Sequence, residues 1–366
     1  MASPAVLSAR QKTYPALTEV KDGVKTITNP DYPRDGRFVA KLTQEMSCGE
    51  ESGPDAGILN KPLELKVDDQ GRVYVMDMGD VNIKVYDEQG RFLKTIGREG
   101  QGPGEFGGLA FFEMLSGGRI CVLDGMQSRV SILTTDGQFI SSFPIQGYHR
   151  DIAADGKDRL YLGKWAAAKR PDKLSTDFQE IAYITSIYRT DTTGKDPVHL
   201  MDFLGESVMM KSAGGGGTVG MIGGGAMIVW NVDPRGTIYG GCNETYSLSA
   251  YGPDGKIEYA FGRKFTPLKN PRFKGMAGQK KTMPAFSRAI VFDEDGNLWI
   301  ELSRAEDAKG FVFDVFSPDG IYLKQVRIEQ RIAQFRKGKI YCIDRPEDGY
   351  PSIKRFRLEL VPDASR

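Results

Sequence analysis

Basic side chains are concentrated in one stretch of a chain that is otherwise balanced in charge. The 366-residue sequence has 49 Lys and Arg, 48 Asp and Glu, and a formal net charge of +1. Between Tyr259 and Phe292, however, there are eight basic residues and neither Asp nor Glu. Arginine can hold a carboxylate or phosphate through two parallel hydrogen bonds. The stretch therefore predicts a surface that attracts an anionic partner, although charges of this kind can also simply keep a loop soluble.

Other basic residues stand where apolar stretches begin or end. Arg150, Arg288 and Arg331 lie at or near the start of apolar stretches, and we expect the three side chains to reach one common opening of the fold. The candidate ligand-binding residues are Arg150, Lys164, Trp165, Arg263, Lys280, Lys281, Arg288, Arg304 and Arg345.

Acidic residues end several other apolar stretches. Asp77, Asp124 and Asp344 could help to orient a polar ligand, or each could cap its own loop, as Asp often does before a turn. We favour the capping role for Asp77 and Asp124. A calcium site with oxygen ligands would use these three aspartates, Asp77, Asp124 and Asp344, together with Asn243. No other cofactor is expected.

The sequence favours binding over catalysis. It has only two histidines, His149 and His199, which excludes a multi-histidine zinc site. A Gly-x-Ser-x-Gly nucleophile motif is absent, and His149 with Asp151 is the one pair that could act as a base. The alternative to a binding protein is a metal-assisted hydrolase or lactonase.

Few signals indicate a cellular compartment. No run of 18 apolar residues occurs, so no transmembrane span is predicted, and residues 1–18 do not have the pattern of a signal peptide. The spacing of Cys48, Cys121, Cys242 and Cys342 matches no zinc motif, and we interpret them as buried thiols whose disulfide state the spacing leaves open.

A repeat of about 40 residues organises the chain. Each copy has a strand that opens on or near a glycine and alternates apolar residues, as in Gly71-Arg-Val-Tyr-Val-Met-Asp77. The other copies begin at Gly118, Arg159, Gly236, Gly296 and Gly338. Turns such as Glu88-Gln-Gly90 separate further strands, so one unit is predicted to be a four-stranded antiparallel meander.

Six such units predict an all-β, six-bladed β-propeller. The last unit supplies only three strands, so we expect an N-terminal strand over 37–46 to complete it and close the ring. The predicted domains are an extension over 1–36, with a strand-like stretch at Glu19–Thr28, and a single monomeric propeller over 37–362.

The first unit resembles an NHL repeat. Val75–Gly90 carries this likeness, and Gly97–Phe106 is similar to a loop common in bacterial six-bladed propellers of that type. The resemblance covers about residues 35 to 362. Such proteins are often exported lipoproteins, so it implies a location in the cell envelope or periplasm; the residues alone leave a cytoplasmic location as the alternative.

A propeller would place the candidate residues on one face. Loops between blades, and loops joining second to third strands, collect on the top face, where binding usually occurs. The long stretches 164–182, glycine-rich 204–225 and basic 263–287 are predicted to be such loops. We therefore expect the loop-rich, locally basic top face to bind an anionic small molecule, a glycan or a protein partner. Nucleic acid is not expected, because the basic stretch lacks a recognised single-strand platform.

Overall fold

The protein is built almost entirely from β-strands. The computed structural model describes residues 16–50, 55–108, 110–169, 175, 177, 179–214, 217–221, 226–271, 273, 281–304 and 308–364. One short 3-10 helix, Asp55–Gly57, interrupts the strands. In these residues no helix reaches the length and apolar character that crossing a bilayer requires.

The strands are numbered in chain order and group into an N-terminal segment and six blades. The N-terminal segment has β1 (Leu17–Lys21), β2 (Val24–Asn29) and β3 (Arg37–Cys48). Blade 1 has β4 (Pro62–Val67), β5 (Val73–Asp77), β6 (Asn82–Tyr86) and β7 (Phe92–Ile96). Blade 2 has β8 (Ala110–Leu115), β9 (Arg119–Asp124), β10 (Arg129–Thr134) and β11 (Phe139–Pro144). Blade 3 has β12 (His149–Ala154), β13 (Leu160–Ala167), β14 (Gln179–Thr190), β15 (Val198–Gly214) and β16 (Gly217–Met221).

The second half of the ring follows the same plan. Blade 4 has β17 (Ile228–Val232), β18 (Ile238–Cys242), β19 (Ser247–Tyr251) and β20 (Ile257–Arg263). Blade 5 has β21 (Phe286–Phe292), β22 (Leu298–Leu302), β23 (Phe311–Phe316) and β24 (Tyr322–Ile328). Blade 6 has β25 (Ile332–Arg336), β26 (Lys339–Asp344) and β27 (Ser352–Pro362). Each blade's first strand contacts the first strands of its two neighbours, so these six strands surround a central channel.

An aspartate fixes the turn between the first two strands of most blades. In blade 1 the Asp68 carboxylate accepts hydrogen bonds from the backbone N–H groups of Gln70 and Arg72, each at 2.9 Å. It also accepts from Arg72 Nε at 2.7 Å, and Gly71 takes the positive φ of 82° that the tight turn needs. The equivalent residues are Asp155, Asp233 and Asp293. The repeat visible in the sequence is therefore a repeated turn with its own capping side chain.

The N-terminal strand closes the ring, as predicted. β3 pairs antiparallel with β27 from Cys48 opposite Ile353 to Phe38 opposite Pro362. It thus serves as the fourth strand of blade 6, and its first residues also pair in parallel with β24 of blade 5. The observed strand runs over Arg37–Cys48, two residues beyond the predicted end.

The contact across the closure matches the contacts between the other blades. A Cβ added to Gly90, in the outer hairpin of blade 1, would lie 2.7 Å from the Ser47 carbonyl oxygen of β3. The outer hairpins of blades 4 and 5 meet the preceding blade in the same way, with Gly255 against Leu200 and Gly320 against Phe261. β3 therefore occupies the position of an ordinary outer strand.

The strand-like stretch near the N-terminus is a hairpin on the outside of blade 4. β1 pairs antiparallel with β2, and β2 pairs in parallel with β20. Buried Asn29 ends the hairpin: its Nδ2 donates to Gly262 O at 3.0 Å and Gly320 O at 2.8 Å, and its Oδ1 accepts from Tyr322 N. Asn29 thus joins blades 4 and 5. The division of the chain at residues 36 and 37 stays a prediction.

Blade 3 is larger than the sequence indicated. The predicted loop over 164–182 begins as strand, because β13 continues to Ala167 and pairs with β14 as far as Tyr183. The glycine-rich stretch after residue 204 was predicted to be a loop, but its described parts continue β15 and add a fifth strand, β16. This extension rises from the top face.

Three cysteines are buried in the blades. Cys48, Cys121 and Cys342 lie in β3, β9 and β26, where burial raises the pKa of each thiol, to about 12 for Cys48 and Cys342. Such thiols are poor nucleophiles at neutral pH. Cys242 is partly exposed, with its Sγ 3.6 Å from Gly205 O.

Candidate functional site

The top of the central channel holds a cavity of about 430 Å³. All six blades contribute to it through their first strands. Its walls are mostly apolar and include Leu63, Leu65, Phe111, Ile152, Val291, Ile332 and Ile343. Its charged lining residues are Glu64, Lys66, Glu113, Asp151, Arg331 and Arg345. An apolar chamber with a few charged groups is the usual form of a small-molecule site.

A half-buried ion-pair network lines the deeper part of this cavity. Lys66 Nζ lies 2.5 Å from Glu113 Oε1 and 3.1 Å from Glu64 Oε1. Burial raises the pKa of Glu113 to about 7, against the effect of the Lys66 charge and with a further contribution from Glu64. The two carboxylates raise the pKa of Lys66 despite its burial. The positive charge of Lys66 is therefore already paired with Glu113 and Glu64.

Two arginines stand close together at the mouth of the channel. Arg331 is ion-paired, with its Nε 2.6 Å from Glu301 Oε2. The Arg345 guanidinium donates to the Pro62 carbonyl oxygen at 2.6 Å but has no carboxylate within 4 Å among the described residues. Partial burial and the nearby positive charge of Arg331 lower the pKa of Arg345. Arg345 therefore carries a charge that these residues do not neutralise.

Asp151 lines the cavity from blade 3. Burial raises its pKa, with Glu64 and Glu206 adding to this effect and Arg150 and Trp230 opposing it. No Lys or Arg of the described chain lies within 4 Å of its carboxylate. The indole nitrogen of neighbouring Trp230 is buried and has no acceptor in hydrogen-bonding geometry within the described structure. On this side of the cavity, therefore, the Asp151 carboxylate has no ion-pair partner, and the Trp230 indole N–H beside it approaches it outside the geometry of a full hydrogen bond.

Arg150, Lys164 and Trp165 do come together on blade 3. Both Arg150 Nη atoms lie 2.9 Å from the Glu206 carboxylate, and the guanidinium sits 4.9 Å from the centroid of the Trp165 ring. Trp165 stacks on Tyr183 at 3.8 Å, and Lys164 Nζ lies 5.9 Å from the Tyr188 ring. The Arg150 charge is thus already matched by Glu206, which the extension of β15 brings over the channel.

Arg263 begins the basic stretch but lies inside the protein. Its Nε is 2.6 Å from Asp314 Oδ2, and its side chain is 8% exposed. The guanidinium also packs over Tyr246, Phe265 and Tyr322. Arg263 therefore links blade 4 to blade 5.

Two of the remaining predicted residues, Lys281 and Arg304, are exposed. Lys281 lies next to the isolated β-bridge between Lys269 and Thr282, where its carbonyl oxygen accepts a backbone hydrogen bond. Arg304 is exposed, donates to Gly310 O at 2.9 Å and covers the Phe311 ring. Arg288 lies in β21, and Lys280 lies outside the described residues. Ligand binding by these residues stays a prediction.

Asp77 and Asp124 cap loops, as predicted. Asp77 accepts hydrogen bonds from Asn60 N at 2.7 Å and Lys61 N at 2.8 Å, and Asp124 accepts from Gly107 N at 2.6 Å. Asn243 is the equivalent in blade 4 and accepts from Met227 N. Asp344 instead pairs with Lys354. The calcium set thus consists of groups engaged in separate blades, and the described chain holds no group of three His, Cys, Asp or Glu side chains arranged to bind a metal.

Unfolding at neutral and at acidic pH tests the cap formed by Asp77. Burial alone would raise the pKa of Asp77. The Asn60 N–H, the Lys84 ammonium and the Lys61 N–H together hold that pKa below its usual value. Because the folded-state pKa is the lower one, this stabilisation is present above about pH 4 and is lost as the pH falls through the folded-state pKa. We expect Asp77→Asn to unfold more easily than wild type at pH 7 and the difference to narrow at pH 3, measured by urea titration. Asp319→Asn, at an exposed turn, is the control; a constant difference between the two pH values would contradict the expectation.

Most of the charged cavity residues are not among the residues predicted from the sequence. Glu64, Lys66 and Glu113 are new, and Asp151 was considered only as a partner for His149. The available signal was a charged residue inside an otherwise apolar first strand. Arg331 was expected at the channel mouth, and it is there.

Comparisons with known proteins support the architecture. Residues 54–161 match the model of the family DUF5128, described as a 6-bladed beta-propeller. A search of curated protein sequences finds no match. A predicted exported protein from Bacteroides fragilis is structurally similar, with a TM-score of 0.56, 13% identity, and coverage of 91% of this chain and 99% of its own. A member of the duf4221 family from Bacteroides vulgatus has a TM-score of 0.56 and 12% identity, over 88% of this chain and 99% of its own.

At such low identity these similarities bear on the fold alone. They agree with the repeat, the strand pairing and the closure described above. The six-bladed part of the resemblance is therefore confirmed, whereas its assignment to NHL repeats stays a prediction. The chain is a six-bladed β-propeller.

Proposed function

We propose that the protein is a binding propeller that holds a small anionic ligand at the mouth of its central channel. The observation that carries this proposal is Arg345, a guanidinium on the wall of the 430 Å³ cavity that has no carboxylate within 4 Å among the described residues. A bound carboxylate or phosphate would supply the missing partner.

The arrangement of charges favours this position over the other basic candidates. Arg150 and Arg263 are each matched by a buried carboxylate, Glu206 and Asp314, so neither offers a free charge. Arg345 instead has the positive charge of Arg331 beside it, which lowers its pKa together with partial burial. An anion entering between the two arginines would relieve that repulsion.

The wider top face could extend the same preference to a larger partner. Lys281 and Arg304 are exposed around the loops of blades 4 and 5, and Trp165 and Lys164 stand on the blade 3 extension. A glycan or protein bearing acidic groups would meet these residues outside the channel. We place the protein in the cell envelope, because the resemblance and a similar structure both point to exported proteins.

Calorimetric titration with succinate and inorganic phosphate tests the proposal. We expect Arg345→Gln to weaken binding about tenfold or more, since a charge-assisted hydrogen-bonded pair contributes on the order of 1.5–3 kcal/mol. The matched control is Arg91→Gln, an exposed arginine in the outer hairpin of blade 1 that pairs with Asp87. Binding that is equal in both variants, or absent for both anions in the wild type, would refute the proposal.

A further inference from the structure

The charges of the upper cavity do not all cancel one another. Of its six charged lining residues, Lys66 is paired with Glu113 and Glu64, and Arg331 is paired with Glu301. Within the described chain, this leaves Arg345 and Asp151 as the lining charges without an ion pair. One is a cation and the other a carboxylate.

These two groups lie on opposite sides of the channel. Asp151 belongs to β12 of blade 3, whereas Arg345 directly follows β26 of blade 6. The first strands contact one another in ring order, from β4 through β8, β12, β17, β21 and β25 back to β4. In a ring of six blades, blades 3 and 6 face each other across the axis.

The surroundings of Asp151 suit a cation with a hydrogen-bonding neighbour. Asp151 is half-buried, and a carboxylate partly withdrawn from water without a counter-ion is costly, so a ligand ammonium would reduce that cost. Trp230 stands beside it, with its indole N–H near this carboxylate but outside the geometry of a full hydrogen bond. The Trp230 ring can also attract an ammonium group through its face.

We infer that the ligand carries both an amine and a carboxylate, with the carboxylate at Arg345, the ammonium at Asp151 and an apolar body between them. The inference rests on the proposed function, because it uses the same cavity and the same arginine. The apolar body follows from the walls, because apolar residues of the intervening blades line the same cavity: Leu63 of blade 1, Phe111 of blade 2 and Val291 of blade 5. An ω-amino acid and a short peptide with apolar side chains share this chemistry.

The test compares three ligands at pH 8: hexanoate, its ω-amino derivative and leucyl-leucine. We expect wild type to bind one of the two amino compounds at least about tenfold more tightly than hexanoate. The better of the two identifies the source, a free ω-amino acid or a peptide. Asp151→Asn should remove the preference but keep the affinity for hexanoate, whereas Arg345→Gln should weaken all three.

Asp151→Glu is the matched control, since it keeps the charge and should keep the preference for the amine. Thermal melts of the variants check that each is folded. Equal binding of hexanoate and the amino compounds by wild type, still sensitive to Arg345→Gln, would overturn the inference and leave the proposed function standing. If none of the three ligands binds wild type, the amphoteric ligand is refuted, and binding of succinate or phosphate then decides the proposed function separately.

Discussion

A chain lacking residues 1–48 should lose its single cooperative unfolding transition. The deletion removes β3, which pairs with β27 along almost its whole length and buries Ala40, Met46 and Cys48. Blade 6 would then have three strands, with the edge of β27 open and its contact to the blade 1 hairpin absent. Because whole domains are stable by only about 5–15 kcal/mol, we expect a broad melt at lower temperature in calorimetry.

The control is a deletion that ends at Lys21. It removes β1, an exposed edge strand, and leaves β2 and β3 in place. This shorter deletion should keep a single sharp transition, and a synthetic peptide of Arg37–Cys48 should partly restore one to the longer deletion. If the chain without residues 1–48 melts as sharply and at the same temperature as wild type, the closure by β3 contributes nothing to stability.

Arg263→Ala should destabilise the protein by about 3–5 kcal/mol, the range for breaking a buried ion pair by removing one partner. Asp314 is fully buried, and its carboxylate also accepts hydrogen bonds from Tyr246 and Tyr322, each at 2.7 Å. Without the guanidinium this carboxylate would lose its ion-pair partner while it remains fully buried between blades 4 and 5. Equilibrium denaturation in urea measures the change.

A matched surface pair separates this effect from a general loss of charge. Arg34 is 58% exposed and pairs with Asp35, which is 34% exposed, so Arg34→Ala should cost less than about 1 kcal/mol. Titration with succinate adds a second measurement, because a purely structural Arg263 should leave the affinity of the folded variant unchanged. Unchanged stability combined with lost anion binding would instead assign Arg263 to the ligand site.

The architecture could be predicted because the relevant signals are local. In four of the six blades the first turn contains its own aspartate and glycine within a few residues, as at Asp68 and Gly71, so the repeat is readable without any tertiary information. The missing strand of blade 6 was predictable for the same reason: counting strands left one vacancy, and 37–46 had the right pattern.

The site was harder to predict because charges are matched across blades. Glu206 lies 56 residues from Arg150 and Asp314 lies 51 residues from Arg263, so no spacing in the sequence marks either arginine as neutralised. From the sequence, the stretch richest in basic residues therefore looked available for binding. Its first member, Arg263, is in fact buried and ion-paired. Likewise, the parallel pairing of β2 with β20 has no local signal, and that hairpin could be recognised but not placed.

The position of β3 in blade 6 has a consequence for biosynthesis. Glu45 of β3 forms an ion pair with Lys339 of β26, and the two residues are 294 positions apart in the sequence. While the ribosome is still translating, β3 has already emerged and has no antiparallel partner. Contacts this distant in sequence form slowly, and an unpaired strand of this kind is open to aggregation in the meantime. A nascent chain of this protein would therefore expose β3 until the last blade has been synthesised.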